Sequence, residues 1–147
     1  MKLSFYLEPG DPLWAELEAM GIENDPSAEY MIQRKTKEIS YLPAKKGDTG
    51  FYLDVKELLY AESMGHDVLL HMSDGGIYHS SDRLKQLEKM LDDGRFLRIS
   101  NSCIVNLKHI KRIESSLLQK FILHLSDGSR VDVTRTYYYI FKERLGI

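Results

Sequence analysis

The chain has 147 residues, of which 43% are apolar and 29% are charged, and its net charge at pH 7 is −2. This amount of apolar material is typical of a folded domain and excludes a disordered chain. No apolar run approaches the roughly 18 residues of a membrane span, and the N-terminus does not resemble a signal peptide. The single cysteine, Cys103, has no partner for an internal disulfide. We therefore expect a cytoplasmic protein.

The charge is distributed unevenly along the chain. Residues 94–147 contain ten Lys and Arg against four Asp and Glu, whereas residues 1–93 contain ten against eighteen. A basic segment in an otherwise acidic chain indicates a polyanionic partner. Basic segments also occur on enzymes and on surfaces that bind acidic proteins, so charge alone leaves these classes open.

The first 37 residues predict a small α/β extension. Residues 2–7 are typical of a short strand, and Asp11 followed by Pro12 indicates the capped start of a helix that ends at Gly21. The apolar face of this helix is predicted to consist of Leu13, Trp14, Leu17 and Met20.

The boundary between the extension and the rest of the chain lies in a segment of mixed character. Residues 22–27, IENDPS, are typical of a loop and are the best candidate for a linker. The following AEYMIQRKTKEISYL fits either a strand with a break or a helix that leads into a strand. We expect an extension of residues 1–37 and a domain of residues 38–147.

From about residue 38 the pattern favours β-structure. EISYL and FYLDV flank the turn-like PAKKGDTG as in a hairpin, and ELLYAES, DVLLHM and IYHS follow as further strands. SSDRLKQLEKML predicts an amphipathic helix with a serine cap. Its apolar face is predicted to contain Leu84, Leu87, Met90 and Leu91.

The last third of the chain predicts more strands and a final helix. FLRI, SCIVNL, IKRIES, FILHL and SRVDV are typical strands, and SDG is a hairpin signal between the last two. RTYYYIFKERLG predicts a C-terminal helix capped by Thr134 and ended by Gly146. The predicted fold is mainly β, with packed antiparallel sheets or a barrel-like core, a mid-chain helix and a C-terminal helix.

The sequence carries no convincing catalytic or metal motif. It has no CxxC, no pair of histidines at i, i+4, no GxSxG and no phosphate-binding glycine loop, so we expect no metal, no cofactor and no enzymatic activity. A receiver domain would need roughly another hundred residues, so phosphorelay within this chain is not expected. Cys103 lies within the apolar run CIV and is predicted to be a buried core residue.

Three loops or element ends carry side chains suited to DNA. They contain His66 in SMGHD, Asn101 in RISNS and Arg135 in VTRTYY. In the major groove, arginine commonly forms hydrogen bonds with guanine and asparagine with adenine. Hydroxyl groups near the start of a helix are suited to binding a phosphate. The alternatives are a solvated turn for His66, a turn-forming role for Asn101, and an ion pair between Arg135 and Asp132. The predicted backbone contacts are Arg98, Ser100, Ser102, Lys108, Thr134 and Thr136.

The order of motifs over residues 38–147 resembles the LytTR DNA-binding domain. The matching patterns are V-x-x-L-L-Y-x-E-S, L-x-x-L-E-x-x-L, F-x-R-I-x-x-S-x-I-V-N-L-x-x-I and L-x-D-G-x-x-x-x-V-x-R-x-Y. The resemblance implies a transcription regulator that contacts successive major grooves through loops rather than a recognition helix. The family's base-contacting positions match His66, Asn101 and Arg135. The position before Asn101 is often histidine in the family and is Ser100 here.

The resemblance also implies partners. Family members bind direct repeats of double-stranded DNA as a homodimer or tandem pair, and some short members are held inactive by a membrane protein. The acidic extension of residues 1–37 is expected to have a regulatory or dimerisation role. The rival hypothesis is a module that binds a protein or a ligand through the same surface and has only weak, sequence-independent affinity for DNA.

Overall fold

The computed structural model describes residues 2–34 and 38–147. The chain forms two compact units, residues 1–37 and 38–147. Within the described ranges, no helix is both long enough and apolar enough to cross a membrane.

The smaller unit is a β–α–β arrangement of β1 (Leu3–Tyr6), α1 (Pro12–Ala19) and β2 (Tyr30–Gln33), with the two strands parallel. The predicted start of α1 is confirmed, because the Leu13 N–H donates to Asp11 Oδ1 at 2.9 Å. The predicted apolar face was too wide. Leu17 is buried, whereas Met20 follows the helix and is 73% exposed.

The segment of residues 22–27 is not a linker, contrary to the prediction. The Phe5 N–H donates to Asn24 Oδ1 at 2.8 Å, so this segment is tied to β1 within the smaller unit. Of the two alternatives for the following segment, a strand is correct for the residues of β2. Residues 35–37, where the proposed break would fall, lie outside the described residues.

The larger unit is mainly β, as predicted. Its strands are, in chain order, β3 (Tyr41–Lys46), β4 (Thr49–Asp54), β5 (Leu58–Met64), β6 (Asp67–Met72), β7 (Ile77–Ser80), β8 (Phe96–Ser100), β9 (Cys103–Asn106), β10 (Ile110–Ser116), β11 (Lys120–Leu125) and β12 (Arg130–Val133). Helix α2 (Leu84–Met90) lies between β7 and β8, and α3 (Tyr138–Leu145) ends the unit.

These strands form two antiparallel sheets, which confirms the predicted architecture. A seven-stranded sheet has the order β4-β3-β7-β6-β5-β9-β8, and a three-stranded sheet has the order β10-β11-β12. All the strand pairs in both sheets are antiparallel. Consecutive hairpins therefore build most of the unit, as the closely spaced turn signals indicated.

The seven-stranded sheet contributes to two hydrophobic clusters. Neighbouring residues on a strand point to opposite faces, and accordingly Leu58 and Ile104 belong to one cluster while Leu59 and Val105 belong to the other. The first cluster includes the leucines of α2, and the second includes residues of β11, β12 and α3. A slip of one residue would exchange the two faces, so burial on both sides fixes the register of the central strands.

Three local predictions need correction. The first hairpin is tighter than predicted, because β3 and β4 extend through PAKKGDTG and close around Gly47, whose φ is 61°. Helix α2 has no serine cap; Gln86 Oε1 accepts instead from the Arg83 N–H at 2.8 Å. Thr134 precedes a 3₁₀ turn (Arg135–Tyr137) but its side chain caps nothing there. The predicted end of the last helix at Gly146 is confirmed, since Gly146 is left-handed with φ 67°.

Candidate nucleic-acid interface

The β8–β9 hairpin carries Asn101 at its tip. Ser100 and Cys103 form the last pair of the ladder, so Asn101 and Ser102 are the two turn residues, and both are exposed. Directly behind the turn, Ile99 is completely buried in the second cluster. An exposed amide is thereby presented on a hairpin whose strands are fixed by the core.

Arg98 supports this turn from inside the domain. Its Nε donates to the backbone oxygen of Ser100 at 2.7 Å, and a terminal N–H donates to the backbone oxygen of Asn101. Its other terminal nitrogen lies 3.4 Å from Glu88 Oε2 on α2. The Arg98 side chain is only 19% exposed, so its guanidinium is directed at the turn rather than at solvent.

Ser100 also belongs to the support of the turn. It is 8% exposed, and its Oγ accepts from the Ser102 N–H at 3.2 Å. This is the local side chain to backbone bond that serine commonly forms at turns. Its burial and this bond favour a structural role over the phosphate contact expected from the sequence.

The residues before α3 lie beside the Asn101 turn. The Thr134 N–H donates to the backbone oxygen of Ile99 at 3.0 Å, which joins the end of β12 to β8. The Tyr137 hydroxyl donates to Asn101 Oδ1 at 3.4 Å. Two segments that are more than thirty residues apart in sequence are thereby held together, and the Asn101 amide is contacted from the second segment.

Arg135 is the exposed first residue of the 3₁₀ turn, and Thr136 follows it and is also exposed. The ion pair with Asp132 that the sequence allowed is not formed. Among residues 2–34 and 38–147, no carboxylate lies within salt-bridge distance of the Arg135 guanidinium. Its charge is therefore unneutralised by the described protein groups and is available to an external anion.

His66 lies in the two-residue turn between β5 and β6. Met64 and Asp67 close the ladder, Gly65 has a φ of 62°, and His66 is exposed. A positive φ at the first central position suits the tight turns of hairpins. The Ser63 N–H donates to the backbone oxygen of Ser102 at 2.8 Å, so this turn lies at the same end of the sheet as Asn101.

Lys108 does not join this group. It lies in the 3₁₀ turn Leu107–His109 after β9, and its N–H donates to Asn106 Oδ1 at 3.0 Å. Strand β9 runs from Cys103, beside the Asn101 turn, to Asn106, and a strand of this length covers about 13 Å. Lys108 is therefore at the opposite end of the hairpin from the other predicted contacts.

Comparison with known proteins places this arrangement in a family. The LytTr DNA-binding domain matches residues 48–146. The chain belongs to the LytTR DNA-binding domain family. DNA binding is thus the activity of this class of domain, and the family predicted from the motifs is confirmed.

Relatives of the LytTR domain include named bacterial regulators. The chain is 34% identical over 101 residues to the sensory transduction protein LytT of Bacillus subtilis, which covers 69% of this chain and 42% of LytT. It is 31% identical over 70 residues to the transcriptional regulatory protein LytR of Staphylococcus aureus, covering 48% of this chain and 28% of LytR. The chain thus spans less than half the length of these relatives.

A solved LytTr DNA-binding domain from Bacillus cereus has the same fold. It superposes with a TM-score of 0.70 at 26% sequence identity, covering 74% of this chain and 99% of the solved domain. The larger unit therefore has the LytTR fold.

Cys103 of the LytTR domain is a buried core residue, as predicted. It is 8% exposed and belongs to the second cluster. Burial raises the pKa of the Cys103 thiol to about 12, and the charge of Glu62 adds to the increase. The group is a neutral thiol at physiological pH, which disfavours nucleophilic chemistry. Across residues 2–34 and 38–147, no three His, Cys, Asp or Glu side chains are grouped so as to hold a metal ion.

Two residues that support the Asn101 turn of the LytTR domain had no predicted role. Glu88 contacts Arg98, and Tyr137 contacts Asn101. Both residues belong to the motifs on which the family resemblance rests. Glu88 is the Glu of L-x-x-L-E-x-x-L, and Tyr137 is the final Tyr of L-x-D-G-x-x-x-x-V-x-R-x-Y. The motifs contain both residues, but their contacts with the Asn101 turn depend on which strands and helices pack together.

Proposed function

We propose that this LytTR domain regulates transcription by binding a specific duplex sequence through turns rather than through a recognition helix. The interface consists of three turns, residues 65–66, 101–102 and 134–136. The observation that carries the proposal is the supported Asn101 turn beside Arg135, which has no carboxylate within salt-bridge distance among the described residues. Pre-positioned polar groups that need no rearrangement favour specific contacts over sequence-independent attraction.

Each turn has a chemical role in the proposal. The Asn101 amide contacts the N6 and N7 edge of an adenine, and the Arg135 guanidinium contacts O6 and N7 of a guanine. His66 contacts a base edge from the third turn. The exposed hydroxyls of Ser102 and Thr136 contact phosphates, whereas Thr134 holds its segment in place because its N–H donates to the Ile99 backbone oxygen.

The proposed set of backbone contacts is smaller than the set expected from the sequence. Arg98 and Ser100 act by positioning the Asn101 turn, because their polar groups already bond to it. Lys108 is left out of the interface because it lies at the far end of the β8–β9 hairpin.

Two copies of the chain act together on DNA in this proposal. One set of three turns covers too short a stretch of sequence to be selective in a genome, whereas two copies on a direct repeat multiply the selectivity. The expected complex therefore has two protomers on one duplex. Sedimentation of the full chain with a two-site and a one-site duplex measures this stoichiometry, and a single protomer on the two-site duplex would contradict it.

The smaller unit supplies regulation in this proposal, through self-association or through an inhibitory membrane protein. Support comes from its compactness and its acidic charge, since residues 1–37 carry four Lys and Arg against seven Asp and Glu. If a chain of residues 38–147 folds, keeps the same oligomeric state and binds DNA with unchanged affinity, this role is excluded.

Selection from a pool of random duplexes tests the main proposal. We expect enrichment of a defined sequence with two similar half-sites, and loss of that preference in Asn101→Ala and Arg135→Ala. The affinity should fall steeply with salt, with a slope of about 0.9 per phosphate neutralised. Absence of enrichment, together with a sequence-independent dissociation constant of about 10⁻⁴–10⁻⁶ M, would favour the rival protein- or ligand-binding module.

A further inference from the structure

We propose that the turn between β10 and β11 is a fourth DNA-contacting element. Its leucines, Leu117 and Leu118, form an apolar tip that lies against the bases or sugars next to the segment contacted by Arg135. Lys120, at the base of the same turn, contacts a phosphate there. This inference rests on the proposed function and extends it to an additional stretch of the duplex.

The apolar tip is unusually exposed. Leu117 is 104% exposed and Leu118 is 71% exposed, whereas turns at this kind of position commonly carry glycine, asparagine, aspartate or serine. A single leucine on a surface needs no explanation, but two consecutive leucines at the end of a hairpin present a continuous apolar contact surface to solvent.

The turn is fixed to the element that carries Arg135. Gln119 has a φ of 56°, a left-handed conformation that glycine or asparagine adopts more readily, and its Nε2 donates to the Tyr139 hydroxyl at 3.1 Å. Tyr139 lies in the first turn of α3, directly after the 3₁₀ turn of Arg135. The hydrogen bond therefore couples the position of the apolar tip to the position of the candidate interface.

The tip and Arg135 also share one surface depression. It is lined by Leu117, Leu118, Gln119, Lys120 and Arg135. Any duplex that contacts Arg135 through a groove edge passes beside the other lining residues. An apolar contact at this place suits thymine methyl groups in the major groove or a wedge at a base step.

The charge of the turn favours a polyanion such as DNA over a basic or neutral protein surface as the occupant. Residues 115–120, SSLLQK, contain a lysine and no carboxylate. Over residues 2–34 and 38–147, neither Lys120 nor Arg135 has a carboxylate within salt-bridge distance. The apolar tip and these two cations together match a polyanion that also has apolar base faces. A protein partner is the alternative that the experiment must distinguish.

The test compares full-length variants by fluorescence anisotropy on the duplex recovered by selection and on a random-sequence duplex of equal length. The double variant Leu117→Ser, Leu118→Ser should bind the selected duplex about tenfold more weakly. Lys120→Ala should lower the slope of log K against log salt by about 0.9 on both duplexes. Hydroxyl-radical footprinting of the double variant should lose protection at one edge of the site.

The matched control is Ile77→Ser, which removes another exposed apolar side chain. Ile77 is 45% exposed and pairs with His71, at the end of β7 away from the 65–66 turn. It should leave affinity and footprint unchanged. Since all these positions are exposed, the variants should unfold thermally like the parent, which separates a lost contact from a lost fold.

The outcomes distinguish this inference from the proposed function. If Asn101→Ala abolishes the sequence preference while the leucine and Lys120 variants bind like the parent, the fourth contact is wrong and the proposed function stands. If the leucine variant changes only self-association measured by sedimentation, the tip is a protein interface and the inference is overturned. If Asn101→Ala has no effect but Lys120→Ala still lowers the salt slope, the DNA contact stands and the proposed base contacts fail.

Discussion

The two hairpin turns at the candidate interface differ in how they are held. The 101–102 turn is bonded by Arg98, by the Ser100 hydroxyl and by the Tyr137 hydroxyl, whereas His66 lies in a turn closed by its own ladder. A side chain that is already fixed loses little entropy on binding, whereas a free one gives up about 0.5–1.5 kcal/mol. The comparison therefore predicts that Asn101 contributes more specificity than His66, although both side chains are exposed.

The largest effect concerns Cys103, which closes the supported turn. Because burial raises the pKa of its thiol to about 12, the reactive thiolate is scarce in the folded chain at pH 8. Alkylation by iodoacetamide should be slower than in the denatured chain by a factor on the order of a thousand. The folded rate should rise as pH increases toward the raised pKa. Equal rates in the two states would mean that the turn opens freely and that the comparison is wrong.

Loss of the Asn101 amide should have the largest effect on DNA binding. Asn101→Ala is expected to cost about 1–3 kcal/mol on the selected duplex and almost nothing on a random duplex, because the proposed contacts of the amide are with bases rather than phosphates. Fluorescence anisotropy on both duplexes measures the difference. An equal loss of affinity on both duplexes would indicate that Asn101 contacts the DNA backbone.

Loss of the Arg98 support should cost less, about 1 kcal/mol on the selected duplex, because Asn101 remains present but is no longer held. Arg98→Met keeps the aliphatic part of the side chain and removes its hydrogen bonds. In an Asn101→Ala background the same change should have little further effect. The salt slope should not change; a decrease of about 0.9 would show a phosphate contact instead. Lys108→Met is the control cation at the far end of the hairpin.

Removal of the Tyr137 hydroxyl should have a smaller effect. Tyr137→Phe is expected to weaken specific binding by about 0.5 kcal/mol, since it deletes one long hydrogen bond to the Asn101 amide and leaves the ring in place. A titration with the selected duplex, run beside Tyr139→Phe, measures it. A larger loss for Tyr139→Phe would indicate that the 117–119 turn matters more than the orientation of Asn101.

The smallest effect is expected for His66. His66→Ala should change specific binding by no more than about 0.5 kcal/mol, because the cost of ordering a free side chain offsets most of its contact. Competition between selected and random duplexes resolves a difference of this size. If His66→Ala weakens specific binding as much as Asn101→Ala does, then the hydrogen bonds that hold a turn in the free protein do not determine how much that turn contributes to specific binding.

The sequence predicted the exposed turns of the larger unit better than the contacts that support them. Hairpin signals and alternating apolar residues are local, so the strands of the larger unit and the exposure of Asn101 followed from short segments. The bonds from Arg98 to Glu88 and from Tyr137 to Asn101 join residues 10 and 36 positions apart, and only the packing of α2, β8 and α3 creates them.

The wrong linker prediction has the same physical origin. Residues 22–27 were interpreted as a linker because their composition is that of a loop, but a long-range bond from Phe5 to Asn24 ties them down. The phosphate contact of Lys108 stays a prediction, but strand β9 carries the chain away from the Asn101 turn before it reaches Lys108. Charge clusters therefore need to be placed along the folded hairpin before they are assigned to an interface.

The position of the three proposed base-contacting residues outside both hydrophobic clusters has a consequence for how this protein can change. His66, Asn101 and Arg135 belong to neither cluster, so replacing them should leave the free energy of unfolding nearly unaltered. Target preference and thermodynamic stability are thereby separable traits. A library randomised at positions 66, 101 and 135 should consist largely of folded proteins, which makes the domain a practical starting point for engineering new operator specificities.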